Sequence, residues 1–209
     1  MRRLLPLAAF AATAGCTAAT TTAPPQPVAS PLPAWRSTAT EDDRLRLRNW
    51  RSSFSAALAA ARRSGHGAAI DREGSLLQPD SALGGGPIPA GDYRCRVIKL
   101  GARSQGLLDY VAYPYFRCRV GGSGTLQSFS KLTGSQRVYG RIYPGDTLRQ
   151  VFLGTLVLGD ETAAMRYGAD RERDVAGLLE RIGPARWRMV MPRPHFESLL
   201  DVLELVPAQ

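Results

Sequence analysis

The chain is 209 residues long, 44% hydrophobic and 8% aromatic, which is enough apolar material for one globular core. It has no run of the roughly 20 apolar residues that a membrane-spanning helix needs, and no 20–50-residue repeat that would call for a solenoid. The formal net charge is +9, but only Lys99 and Lys131 are lysines among 27 basic residues. An arginine bias of this kind follows from a GC-rich coding sequence, so the charge does not by itself argue for a nucleic-acid partner.

The stretch Met1-Arg-Arg-Leu-Leu-Pro-Leu-Ala-Ala-Phe-Ala-Ala-Thr-Ala-Gly-Cys16 sets two arginines before a short apolar run that closes on small residues and a cysteine. This is the order of an export signal. At about 1.5 Å per residue the run cannot cross about 30 Å of hydrocarbon. Thr13-Ala14-Gly15-Cys16 has the layout of a bacterial lipoprotein lipobox, with Thr13 where leucine is usual. The expectation is a signal peptide over 1–15, lipid attachment at Cys16, and an outer-membrane anchor facing the periplasm, since Thr17 rather than Asp follows. The alternative is cleavage after Ala12-Thr13-Ala14, which leaves a soluble periplasmic protein. An odd third cysteine in an oxidising compartment favours acylation.

Residues 16–36, rich in Pro, Thr and Ala and almost without charge, read as a flexible tether. Residues 37–91 read as a helical section and loop. Thr40 caps a helix with Asp43 three residues on, and Leu47, Trp50, Phe54, Ala57, Leu58 and Ala61 form one apolar stripe to about Arg63. Gly65 is the expected stop. A shorter helix fits 68–77, ended by Pro79, and Gly84-Gly-Gly-Pro-Ile-Pro89 forms a loop.

From Asp92 to the end the pattern becomes short alternating runs with turn signals between them. The expected strands are 93–100, 111–120, 125–132, 136–143, 148–158, 163–168, 174–182, 185–191 and 198–206. The fold class that follows is α+β: N-terminal helices packed on an antiparallel up-and-down barrel or strongly curled sheet of about eight strands. Val151-Phe-Leu-Gly-Thr-Leu-Val-Leu158 is apolar on both faces, so one face fills the interior and the other seats the helix stripe.

Tyr93-Arg-Cys-Arg-Val97 and Phe116-Arg-Cys-Arg-Val120 are near-duplicates. As neighbouring antiparallel strands they would set Cys95 against Cys118 as a disulfide, and Arg94, Arg96, Arg117 and Arg119 on the opposite face as an anion-binding patch. Arg137, Arg141 and Arg149 could extend that patch. The competing readings are two buried thiols and an ordinary solvated face. His66 fits a loop between helices. His195 and Glu197 share a face if extended, which permits acid–base chemistry. Ser123 reads as loop chemistry, and Asp170-Arg-Glu-Arg-Asp174 as a solvated tip. Trp187, Met189 and Met191 alternate along one strand as core or as the lining of an apolar pocket. No nucleophile elbow, zinc-protease helix, P-loop or dinucleotide fingerprint occurs, and no metal or cofactor is called for.

The Tyr-Arg-Cys-Arg-Val and Phe-Arg-Cys-Arg pair, Leu132-Thr-Gly-Ser-Gln-Arg137, Val151-Phe-Leu-Gly154 and Glu197-Ser-Leu-Leu-Asp201 together resemble a family of bacterial exported proteins carrying a domain of unknown function, the DUF4893 group. The resemblance covers about residues 35–207. It implies a periplasm-facing envelope protein and supplies no activity and no functional residues. The expected function is a non-catalytic binding or interaction module, held at the membrane by its lipid and meeting an anionic envelope polymer, lipid or protein. The alternatives are an inhibitor of an envelope hydrolase, and a hydrolase built on His195 and Glu197.

Overall fold

Thr40 takes an extended backbone and its hydroxyl accepts from the Asp43 backbone N–H at 3.2 Å, which caps α2 (Glu41–Arg48) as the spacing requires. The computed structural model describes residues 34–122, 126–159 and 161–208; the expected signal peptide, Cys16, most of the tether and Ser123 lie outside those residues. Residues 34–36, assigned to the tether by composition, belong to a short helix α1 (Ala34–Thr38). The long helix expected to Arg63 is divided at Asn49, and α3 (Trp50–Ala61) buries Phe54, Ala57 and Ala61. At Gly65 the backbone turns to φ 88°, a left-handed conformation that glycine adopts without steric cost, and the chain re-enters α4 (Gly67–Arg72) and a 3-10 turn (Gly74–Leu77).

Nine antiparallel strands follow among the described residues: β1 (Gly91–Ala102), β2 (Tyr110–Ala112), β3 (Phe116–Gly121), β4 (Gln127–Lys131), β5 (Gln136–Tyr143), β6 (Arg149–Leu158), β7 (Asp174–Gly183), β8 (Arg186–Pro192) and β9 (Ser198–Pro207). β3 to β9 run as a meander and β9 pairs back onto β1, closing an eight-stranded barrel with β2 as an extra strand. One edge of β1 is shared. Its first half pairs with β3 and its second half with β2, across Pro114, which has no N–H to give a ladder and splits the strand expected over 111–120. Residues 163–168, expected as a strand, lie instead in the β6–β7 link. There Tyr167 turns inward, and its hydroxyl accepts from Thr40 N–H at 3.0 Å and donates to buried Asp43.

Side-chain alternation divides the core in two. Outward-facing Ile98, Leu100, Val151, Leu153, Ala176, Leu178, Val190, Leu200 and Val202 are buried beneath the helices with Leu47, Phe54, Ala57, Ala61 and Ile70. Strands β6 to β9 and β1 are therefore apolar on both faces, whereas β3 to β5 turn a polar outer face to solvent. Burying a side chain such as Phe54 completely contributes about 1.5–3 kcal/mol.

The barrel interior is filled at one end only. Phe129 and Phe152 meet edge to face at 5.8 Å, as do Tyr93 and Trp187 at 6.0 Å. Gly140 and Gly154 pair across β5 and β6, and a Cβ at either would meet the Phe152 ring within 2.7 Å, so only glycine leaves room for that ring. Ile88, from the loop before β1, plugs this end. Its N–H donates to Gln150 Oε1 at 3.0 Å and its carbonyl accepts from Gln127 Nε2 at 2.7 Å. At the other end the inward positions leave open space.

Candidate functional site

That open end is a cup of about 390 Å³. Its wall is built from inward positions that follow strand parity: Val97 and Lys99 of β1, Phe116 of β3, Lys131 of β4, Val138 of β5, Leu156 of β6, Met191 of β8, and Asp201 and Leu203 of β9. The rim carries Tyr113 and Tyr115 from the β2–β3 link, Thr133 to Ser135 from the β4–β5 turn, Asp174 at the start of β7, and Pro194 to Glu197 from the β8–β9 link. Arg46 reaches over from α2. The wall thus sets Lys99, Lys131 and Asp201 among apolar side chains, the mix of apolar surface and a few polar groups usual in a small-molecule site.

Both lysines of the chain lie in this wall. Lys99 Nζ pairs with Asp201 at 2.9 Å and Glu197 at 3.2 Å. Burial works against its charge, but the two carboxylates outweigh it and raise its pKa. Burial pushes Asp201 above the usual carboxylate range against the pull of Lys99. Lys131 is different. Its ammonium stands 4.3 Å from the Phe116 ring centroid, and no carboxylate among the described residues lies within ion-pair distance. Burial lowers its pKa, and nearby Lys99 lowers it further.

The β8–β9 rim is held in a strained form. Arg193 (φ 45°) and Glu197 (φ 67°) both adopt left-handed backbone, uncommon without glycine. Arg46 clamps the link by donating to the Arg193 carbonyl at 3.0 Å, and Arg103 clamps it from the other side through the Pro194 carbonyl at 2.5 Å. Arg46 is itself tied to buried Asp43. Asp174 accepts from Gly168 N–H at 2.8 Å through Oδ1, while its Oδ2 and Arg46 Nε are buried without a hydrogen-bond partner among the described residues. Burial raises the Asp174 pKa.

His195 and Glu197 both line the cup, yet no hydrogen bond joins them, and Glu197 is engaged by Lys99. Burial lowers the His195 pKa, with Arg46 adding to the effect, so the ring is held neutral more readily than a free imidazole. The cup therefore contains a histidine without an orienting carboxylate, which is half of what acid–base catalysis asks for.

Cys95 and Cys118 are both buried on the inner wall and unbridged. The register corrects the expected direct pairing. Cys95 lies opposite Phe116 and Cys118 opposite Tyr93, a displacement of two residues that keeps both thiols facing inward and makes them diagonal neighbours. Burial and the adjacent Cys118 thiol raise the Cys95 pKa. Cys118 is the direct cross-strand partner of Lys131, so the thiols sit beside the cup.

The four patch arginines do share the outer face but do not form one free basic surface. Arg96 is largely buried between Glu204 at 2.5 Å and Glu73 at 3.0 Å, and Arg119 pairs with Asp92 at 2.6 Å. Arg94 and Arg117, opposite one another in the register, are exposed and have no carboxylate partner among the described residues. Of the possible extensions, Arg137 donates to the Gly159 and Glu161 carbonyls, and Arg149 pairs with Glu180. His66 stacks on Tyr110 at 5.3 Å, away from the cup.

Sequence reasoning passed over Lys99, Lys131 and Asp201, and it read Asp174 as the end of a solvated tip, whereas that residue is buried at the start of β7. The usable signal was parity. Lys99 follows Tyr93, Cys95 and Val97 at every second residue, and Lys131 follows Phe129 in the same way. Two of the phrases behind the family resemblance, Leu132–Arg137 and Glu197–Asp201, fall on the rim and wall of the cup.

A family model described as a domain of unknown function (DUF4893) matches residues 35–205. Comparison with curated proteins and with solved structures found no match.

Proposed function

The chain belongs to the DUF4893 family, and on that premise we propose that it is a cell-envelope module that binds a small molecule in the open end of its barrel. The observation that carries this reading is the uneven filling of the interior. Ile88, Phe129 and Phe152 close one end, and a cup of about 390 Å³ with a largely apolar wall carrying Lys99, Lys131 and Asp201 occupies the other. A barrel of this size holds one small ligand. Export by residues 1–15 and anchoring through Cys16 would set the cup facing the periplasm, where oxidation would join the neighbouring Cys95 and Cys118. The hydrolase alternative has less support, because Glu197 is taken by Lys99 rather than by His195.

The test uses the neutral apolar dye N-phenyl-1-naphthylamine. It should bind the full chain with saturable fluorescence at one site, and Leu156→Trp, which fills the cup, should abolish that binding without lowering the melting temperature. Unchanged dye binding in the variant would defeat the proposal.

A further inference from the structure

The cup contains several charges, and its cations other than Lys131 are compensated within the protein. Lys99 has Asp201 and Glu197. Asp201 also accepts from Ser198. Arg46 has Asp43 and the Arg193 carbonyl. Asp174 is held by the Gly168 amide, and Glu172 stands exposed at the outer edge. Lys131 is the one lysine of the cup with no carboxylate within ion-pair distance among the described residues, half-buried over the face of Phe116. Lys131 lines the cup beside the β4–β5 turn, where residue 134 is a glycine at φ 96° and a Cβ would stand 3.4 Å from the ammonium.

We infer that the ligand is a single-headed anionic amphiphile of the fatty-acid class, its carboxylate held by Lys131 and its apolar body lying along Val97, Val138, Leu156, Met191 and Leu203. This deepens the small-molecule reading and rests on it. One lysine without a carboxylate matches one negative head, and the apolar side chains beside it, Val97, Val138, Leu156, Met191 and Leu203, match a hydrocarbon body rather than a sugar. A neutral head would leave the Lys131 charge unpartnered, and a cationic one would oppose it. The lowered pKa of Lys131 agrees with this, because it is the mark of a charge the empty site does not stabilise.

Laurate (below its micelle concentration), dodecanol and dodecyltrimethylammonium are each titrated against bound N-phenyl-1-naphthylamine on the full chain. Laurate should displace the dye at concentrations on the order of 10- to 100-fold lower than dodecanol, the worth of one charge-assisted hydrogen bond. Lys131→Met should reduce laurate to the dodecanol level and leave dodecanol within a few-fold. Lys131→Gln, which keeps length and polarity, should do the same and serves if the methionine variant folds poorly. Equal displacement by laurate and dodecanol, a preference for the cation, or laurate selectivity surviving both substitutions would overturn the inference while the cup itself stands. Absence of dye binding to the unmodified chain would instead remove the cup reading, and this inference with it.

Discussion

Arg188 and Glu180 face each other across β8 and β7 as a fully buried ion pair, with Arg188 Nη2 2.6 Å from Glu180 Oε2. The guanidinium does more than neutralise one carboxylate. Nη1 donates to the carbonyls of Ser75 at 3.0 Å, Leu76 at 2.9 Å and Gln78 at 2.7 Å, and Nη2 to that of Pro79 at 2.8 Å. Ser75 and Leu76 are carbonyls left over at the end of the 3-10 turn, and Gln78 and Pro79 follow it, so one side chain ties the segment that joins the helices to the barrel wall. Burial lowers the Arg188 pKa, but Glu180 and the surrounding carbonyls hold the charge in place.

Arg188→Met should therefore cost about 3–5 kcal/mol in urea unfolding, the range for breaking a buried pair. The pair with Glu180→Met is the sharper measurement. If the ion pair were the whole of the interaction, the double variant would regain most of the loss. Because the Ser75, Leu76 and Pro79 carbonyls stay unpartnered, it should remain well below the unmodified protein, and full recovery would show that these contacts contribute nothing.

The Cys95–Cys118 pair shows how far the sequence could be read. The repeated aromatic-Arg-Cys-Arg motif gave the correct adjacency of β1 and β3 and the correct inward face, because both depend only on the period of two. It could not give the register, since a slip of two residues preserves every facing. The β1 edge is shared with β2, and that pairing and its loop help to set where β3 falls. Pro114 marked the division, but only the closed barrel shows that both pieces pair with the same strand. Likewise, Lys131 was legible as inward from its parity with Phe129, yet its lack of a carboxylate depends on where β1, β3 and β9 bring their side chains. The link over 163–168 alternates like a strand and fails to be one because Tyr167 is drawn to Thr40 and Asp43 of the helical section.

The Cys95 and Cys118 thiols are diagonal neighbours on the inner wall, and we propose that they join on oxidation. A Cys16→Ser variant recovered from an oxidising compartment should show no thiol titratable in denaturant, and reduction should lower its stability by about 3 kcal/mol in the chain-entropy estimate. Two titratable thiols would mean that the register holds the sulfurs apart.

Lys131 should lower the stability of the ligand-free protein, and pH separates that effect from packing. Its folded-state pKa lies below the ordinary 10.5 because of burial. Between the lowered value and 10.5 the unfolded chain holds a proton that the folded chain has released, so this group's contribution to stability rises with pH across that window. Lys99 runs the other way. Its pKa is raised by Asp201 and Glu197, so its stabilisation is complete below the unfolded value and is lost as pH climbs through the folded one. Lys131→Met should thus be more stable than the unmodified chain near neutral pH, with an advantage that shrinks as pH rises through the Lys131 window. An advantage independent of pH would assign the whole effect to the methionine's packing. Stability given up at a binding position is a recurrent property of functional sites.

The outer arginines should separate by partner rather than by sequence position. Arg96 is largely buried and bridges Glu204 and Glu73, and Glu204 also accepts from Arg186 at 2.5 Å and Tyr115 at 2.9 Å. Removing Arg96 breaks a network in which each remaining carboxylate keeps other donors, so Arg96→Ala should cost about 1.5–3 kcal/mol, the worth of charge-assisted bonds, and less than Arg188→Met. Arg117, exposed in the equivalent place of the repeated motif, should change stability by no more than about 0.5 kcal/mol when replaced by alanine. Retention of the chain on anionic vesicles in low salt, if it occurs through this face, should depend on Arg94 and Arg117 together and be indifferent to Arg119, whose charge Asp92 already occupies. Comparable losses from Arg117→Ala and Arg119→Ala in that assay would show that the ion pair with Asp92 opens at the membrane surface and that the face acts as one patch.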